Sequence, residues 1–195
     1  AALQEVLGDQ VHQQGSYQDS ERTRFDFSYG QAVTKEELAK VEQIVNEKIA
    51  EDLQVTTQIM SVEEAKKTGA MALFGEKYGD EVRVVSMGDF SKELCGGTHV
   101  AHTGDIRAFK ILAESGVAAG VRRIEAITGD HVIAYYAQLD KELAEIAALL
   151  KTTPVGITEK IEHLQKQVKE LQGENESLKS KAAKEALGDV MDQVK

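Results

Sequence analysis

The sequence holds a single cysteine in 195 residues, so the chain can close no disulfide within itself, which suits a reducing, cytoplasmic setting. No apolar run approaches the roughly 20 residues that a membrane-crossing helix needs, and no span is predicted. The first residues, AALQEVLGDQ, carry neither a basic stretch nor a long apolar run, so no signal peptide is visible. Basic residues are outnumbered, 23 Lys and Arg against 33 Asp and Glu, for a net charge of −10. That balance excludes a broad basic nucleic-acid surface but leaves room for a local basic pocket. Nucleotide and hydrolase signatures are missing as well: there is no Walker loop, no Rossmann glycine fingerprint and no G-x-S-x-G elbow. The glycines of GEKYGD (75–80) have neither strand-to-helix placement nor a Lys-Ser/Thr pair, so that stretch reads as a loop.

What is present suits a soluble globular protein with a sizeable core: 42% hydrophobic and 29% charged residues. The chain lacks an initiator methionine, and an amphipathic pattern is under way at Ala2, Leu3, Val6 and Leu7, which predicts the back half of a helix begun upstream. Period-2 alternation predicts strands at 22–29 and 53–60, and apolar runs add candidates at 81–87, 106–112 and 121–128. Between the first two, Thr34 and Glu37 form a capping-box signature, Val33 and Leu38 a hydrophobic staple, and Leu38, Val41, Val45 and Ile49 one helical face. Ser61 and Glu64 repeat the signature before a short helix ending near Gly69. Strands interrupted by helices without regular alternation predict an α+β domain with a largely antiparallel sheet and packed helices over residues 1–130.

From 131 to 195 the chain reads as long C-terminal helices. One runs through DHVIAYYAQLDKELAEIAALLK and stops at TTPVG, which holds the only proline. Beyond it, Ile157, Ile161, Leu164, Val168, Leu171, Leu178 and Ala182 recur at alternating intervals of four and three, with Asn175 at the skipped position. A lone Asn on such a seam commonly sets coiled-coil register, whereas Gly173 weakens the helix by about 1 kcal/mol relative to Ala. A helical hairpin and a dimeric coiled coil both fit this pattern.

Chemistry concentrates in KELCGGTHVAHTGD (92–105). Cys95 and His99 can point at one metal ion if the residues between them turn tightly, and Gly96 and Gly97 allow such a turn and a close approach to the backbone. Thr98 adds a hydroxyl between them. A buried thiol beside an incidental imidazole is the plain alternative, and spacing alone leaves both open. His102 and His12 offer further nitrogens, but neither has a spacing that completes a site. Arg122 and Arg123 fall on opposite faces of one predicted strand, where either suits a phosphate or carboxylate, or more commonly an ion pair. Gln13 and Gln14 could read a hydroxyl or an amine, or lie in a solvated loop before a strand.

Three separated stretches, GDQVHQQGS…RFDFS, ALFGEKYGDEVRVVSMGDFSKELCGGTHVAHTGDI and ESGVAAGVRRIEAITG, closely resemble the editing-domain family of bacterial alanyl-tRNA synthetases. The free-standing AlaX proteins and the second additional domain of threonyl-tRNA synthetase share that fold. The resemblance covers residues 1 to about 130, and the helices beyond look like the connection into a synthetase C-terminal domain. It implies an editing hydrolase that removes Ser or Gly from mischarged tRNA(Ala), with a zinc site combining a His-x-x-x-His and a Cys-x-x-x-His pair. Cys95 and His99 match the second pair, and the first is expected upstream of Ala1, on the helix whose remainder is AALQEVLG. Weak or no zinc occupancy and impaired activity are therefore expected of these residues alone. The resemblance further implies that Gln13, Thr98 and Arg122 serve catalysis, and that Gln13, Gly96, Gly97 and Thr98 line the substrate pocket. Two other readings remain: a free-standing trans-editing deacylase, which the helical tail disfavours, and a non-catalytic segment that forms a homodimer through its C-terminal helices.

Overall fold

The computed structural model describes residues 1–71 and 79–193, with side chains described as far as residue 184. Most of the GEKYGD stretch predicted as a loop lies outside the described residues. The chain divides into two compact units, Ala1–Tyr135 and Tyr136 onward.

The first unit is α+β with antiparallel sheets. A four-stranded sheet runs in the order β1 (Gln13–Gln18), β2 (Thr23–Ser28), β7 (Val121–Thr128) and β6 (Phe109–Ala118). A three-stranded sheet is built from β3 (Val55–Ser61), β4 (Glu81–Met87) and β5 (Ser91–Leu94). The short helix α1 (Ala2–Leu7) and the longer α2 (Lys35–Ala50) contribute to the main core with one face of the larger sheet. That core gathers Leu7, Val11, Phe27, Val41, Ile44, Ile124 and Ala126, and Phe27 is fully buried. A smaller cluster of Ala65, Val82, Val84 and Leu94 joins the second sheet to α3 (Val62–Lys67).

Both capping boxes form. The amide of Glu37 donates to Thr34 Oγ1 at 3.2 Å and the Thr34 amide donates back to Glu37 Oε2 at 2.8 Å. Ser61 and Glu64 do the same at the start of α3, at 3.3 and 3.1 Å. Each box satisfies helix N–H groups that have no partner within the helix. The buried face of α2 is wider than the predicted stripe, because Ile44 joins Val41 and Ile49 while Leu38 and Val45 are partly buried.

Two departures from the sequence expectations bear on the site. HQQGS, with a loop as one of its readings, includes the start of β1, an edge strand whose polar residues are tolerated because one face is solvated. The strand expected at 106–112 instead begins at Phe109 and runs to Ala118. Residues Thr103–Ile106 form a 3₁₀ turn, because Thr103 Oγ1 donates to the Lys48 carbonyl at 2.7 Å and accepts the Leu53 amide at 2.8 Å. Those long-range bonds tie Thr103 to the end of α2 and to the residues just after it. The sequence pattern also missed β5, whose four residues are too few for periodicity to register.

The second unit holds most of α4 (Asp130–Leu149), a 3₁₀ turn at Pro154–Gly156 and the long α5 (Ile157–Gln193). Along α5 the apolar seam is open to solvent: Ile161, Leu164, Val168, Leu171 and Leu178 are all among the exposed hydrophobic residues.

Candidate functional site

Cys95 leaves the end of β5 and enters an irregular segment whose start is held by β4 on one side and by Met71, an isolated bridge partner, on the other. The Leu94 amide donates to the Met71 carbonyl at 2.9 Å, and the Cys95 amide donates to the Arg83 carbonyl at 3.1 Å. The chain then turns so that His99 Nε2 lies 3.3 Å from Cys95 Sγ. Two ligands of one tetrahedral zinc, at about 2.3 Å for sulfur and about 2.0 Å for nitrogen, stand roughly 3.5 Å apart, so the pair fits that role. The turn does not depend on left-handed glycine conformations, since neither Gly96 nor Gly97 has a positive φ. A methyl group at Gly96 would meet nothing, and one at Gly97 would contact only Cys95 Sγ, at 3.5 Å. What the two glycines supply is bare, exposed backbone next to the thiol.

Among the described residues no group of three or more His, Cys, Asp or Glu side chains stands close enough to hold a metal ion. His102 Nδ1 is 3.4 Å from the Asp52 carbonyl and 3.6 Å from its carboxylate, at the end of α2. His12 pairs through its backbone with Ser28. Neither histidine joins Cys95 and His99 in a ligand set.

Two neighbouring cavities flank α2 and share Ala1, Ala2, Val45 and Glu93 in their walls. The smaller, of about 250 Å³, contains Cys95 and His99 together with Lys48 and Glu93. The larger, of about 530 Å³, is mostly apolar and contains Gln13, His12, Phe25 and Ile124. Thr98 is exposed and lines neither of them.

Arg122 lies on the inner face of the larger sheet. Gln13 pairs with Phe27, Phe27 with Arg122 and Arg122 with Gly116, so these four form one cross-strand row. Directly opposed residues in antiparallel strands share a face, which puts Gln13 and Arg122 on the same side of the sheet. The Arg122 guanidinium is not open to a ligand as it stands. Its Nε and Nη2 donate to the two oxygens of Glu114, the second at 2.6 Å, and the Glu114 side chain is 6% exposed. That carboxylate raises the Arg122 pKa above its ordinary value. Gly116 makes room for the pair, because a methyl there would sit 2.9 Å from Arg122 Nη1. Arg123 points to the opposite face, where Nε and Nη2 donate to Asp26 at 2.7 and 2.8 Å.

Sequence reasoning did not single out Glu114, Gly116, Arg83 or Glu93. Each looks like ordinary strand or loop composition, and only register and the turn after β5 bring it to the site.

Residues 82–125 match the family described as the threonyl and alanyl tRNA synthetase second additional domain. The chain is 62% identical over 193 residues to an alanine–tRNA ligase of Lachnoclostridium phytofermentans, covering 99% of this chain and 22% of that protein. It is 50% identical over 193 residues to the alanine–tRNA ligase of Idiomarina loihiensis, with the same two coverages. Against that of Burkholderia vietnamiensis it is 54% identical over 182 residues, covering 93% of this chain and 21% of that protein. The chain thus spans about a fifth of the length of the curated relatives it matches.

Proposed function

We propose that the first unit of this chain is the editing part of an alanine–tRNA ligase, because residues 82–125 match the second additional domain of threonyl and alanyl tRNA synthetases and the chain is 50–62% identical to alanine–tRNA ligases over nearly all its length. In the whole protein it would hydrolyse tRNA(Ala) mischarged with serine or glycine, in the cytoplasm. The observation that carries the reading is the 3.3 Å approach of Cys95 Sγ and His99 Nε2 on an exposed glycine turn.

The reaction is an ester cleavage. Water adds to the aminoacyl carbonyl, the bond to the ribose oxygen breaks, and that oxygen leaves with a proton. Cys95 and His99 would hold zinc together with a His-x-x-x-His pair of the kind the family carries. Zinc there would supply a Lewis acid near the scissile carbonyl. Gly96 and Gly97 let the substrate approach the backbone closely; Gln13, from the wall of the larger cavity, or Thr98, from the exposed turn outside both cavities, would offer a polar group to the serine hydroxyl. A site that hydrogen-bonds that hydroxyl discriminates against alanine, which leaves that group unpaired. Arg122, in the same row as Gln13, would serve the tRNA side, either after exchanging its Glu114 partner or by positioning that face of the sheet. Among the described residues no third ligand stands beside Cys95 and His99, and two ligands by themselves would hold zinc weakly and support little deacylation.

The test compares this chain with a longer one that includes the His pair, measuring bound zinc and Ser-tRNA(Ala) deacylation. The longer chain should gain both, and Cys95→Ala or His99→Ala should remove both. A longer chain that holds no zinc and deacylates nothing would sink the reading.

The open seam of α5, interrupted by Asn175, favours a second role for the tail: homodimerisation through a coiled coil. Sedimentation over a range of concentrations, with and without residues 151–195, decides it. An unchanged monomer in both cases eliminates this role.

A further inference from the structure

We propose that Arg83 is a positioning residue for the Cys95–His99 turn, gripping it through two backbone carbonyls. The inference deepens the reading of Cys95 and His99 as a metal-binding pair and rests on it for its functional meaning. Arg83 sits in β4 between the buried Val82 and Val84, which anchor the strand in the smaller core while its own side chain projects to the opposite face. There Nη1 donates to the Cys95 carbonyl at 2.9 Å and to the Gly97 carbonyl at 2.6 Å, and Nη2 donates to Thr57 Oγ1 at 3.3 Å. The Arg83 carbonyl meanwhile accepts the Cys95 amide at 3.1 Å. One residue therefore holds Cys95 from both sides and ties it to Gly97.

Among the described residues no carboxylate stands within ion-pair distance of Arg83, in contrast to Arg122 and Arg123. Its charge is directed at carbonyl oxygens instead. Such charge-assisted bonds are stronger than neutral ones, and the planar guanidinium presents its donors in a fixed geometry. The turn needs this kind of support. It lies outside helix and strand, and its glycines resist ordering more than other residues do. Holding the carbonyls of Cys95 and Gly97 on one cation restricts the backbone that sets the thiol against His99.

Because Cys95 is the only cysteine, thiol labelling of the whole chain reads this turn alone. Labelling kinetics and amide hydrogen exchange are compared, without metal or tRNA, for the unsubstituted chain, Arg83→Gln, Arg83→Lys and Thr57→Val. Arg83→Gln should speed Cys95 labelling and exchange of the Cys95 amide, which donates to the Arg83 carbonyl, by about tenfold, the size expected when charged hydrogen bonds are lost. Arg83→Lys, whose ammonium can still donate to a carbonyl, should fall between, and Thr57→Val should leave labelling unchanged. Unchanged labelling in Arg83→Gln overturns the proposal, as does exchange accelerated equally through β3, β4 and β5. If Arg83→Gln does not fold, Arg83→Lys decides, and labelling equal to that of the unsubstituted chain overturns it. A failure to bind zinc in the longer chain would remove the proposed function while leaving these measurements to judge the clamp.

Discussion

Gln13 and Arg122 stand two strands apart in one row of the four-stranded sheet, with the fully buried Phe27 between them. Residues from opposite ends of the first unit thus share one face, and a core aromatic spaces them. Phe27→Ala should cost about 3–5 kcal/mol of stability, the usual range for emptying a buried aromatic site. Phe27→Leu should cost clearly less. Denaturant unfolding of each variant checks the order.

Arg122 and Glu114 neutralise one another on the inner face, and Gly116 gives them space. Glu114→Gln should lower the melting temperature by leaving the guanidinium without its counter-charge, and adding Arg122→Met should recover part of the loss. Gly116→Ala should destabilise the chain with Arg122 present and be far milder beside Arg122→Met. Melting temperatures around that double-mutant cycle test the coupling.

The hydrogen bonds from Arg123 hold the Asp26 carboxyl below its ordinary range. In the unfolded chain that carboxyl titrates near the usual value of about 3.9, so the folded state takes up its proton less readily. The resulting stabilisation is complete above that unfolded value and is lost as pH falls through the lowered folded one. Asp19, lowered by the amides of Arg22 and Glu21, and Glu64, lowered by Ser61, act in the same direction. Asp26→Asn should therefore be less stable than the unsubstituted chain near neutrality and lose less on acidification. Melting curves from about pH 7 to about pH 2 would show it.

At the start of α2, Thr34→Ala removes the acceptor for the Glu37 amide. The expected loss is about 1 kcal/mol, typical for an N-cap, and Thr34→Ser should retain most of the stability. Equal losses in the two variants would contradict the cap's role.

Local signals in the sequence carried much of the architecture. Thr34 with Glu37 and Ser61 with Glu64 predict helix starts because a capping box closes within four residues. Val121–Thr128 and Glu81–Met87 read as strands because their neighbours in sequence supply the apolar pattern. Cys95 and His99 stand out by spacing alone, and the structure sets them 3.3 Å apart. Tertiary structure decided the rest. Gln13 shares a row with Arg122 only through the register of β1, β2 and β7. Glu114 becomes the partner of Arg122 only when β6 and β7 pair, and Arg83 meets the Cys95 turn only when β4 and β5 do. Caps and short turns are legible because their hydrogen bonds close between near neighbours, whereas strand pairing joins distant residues through a register that no local pattern specifies.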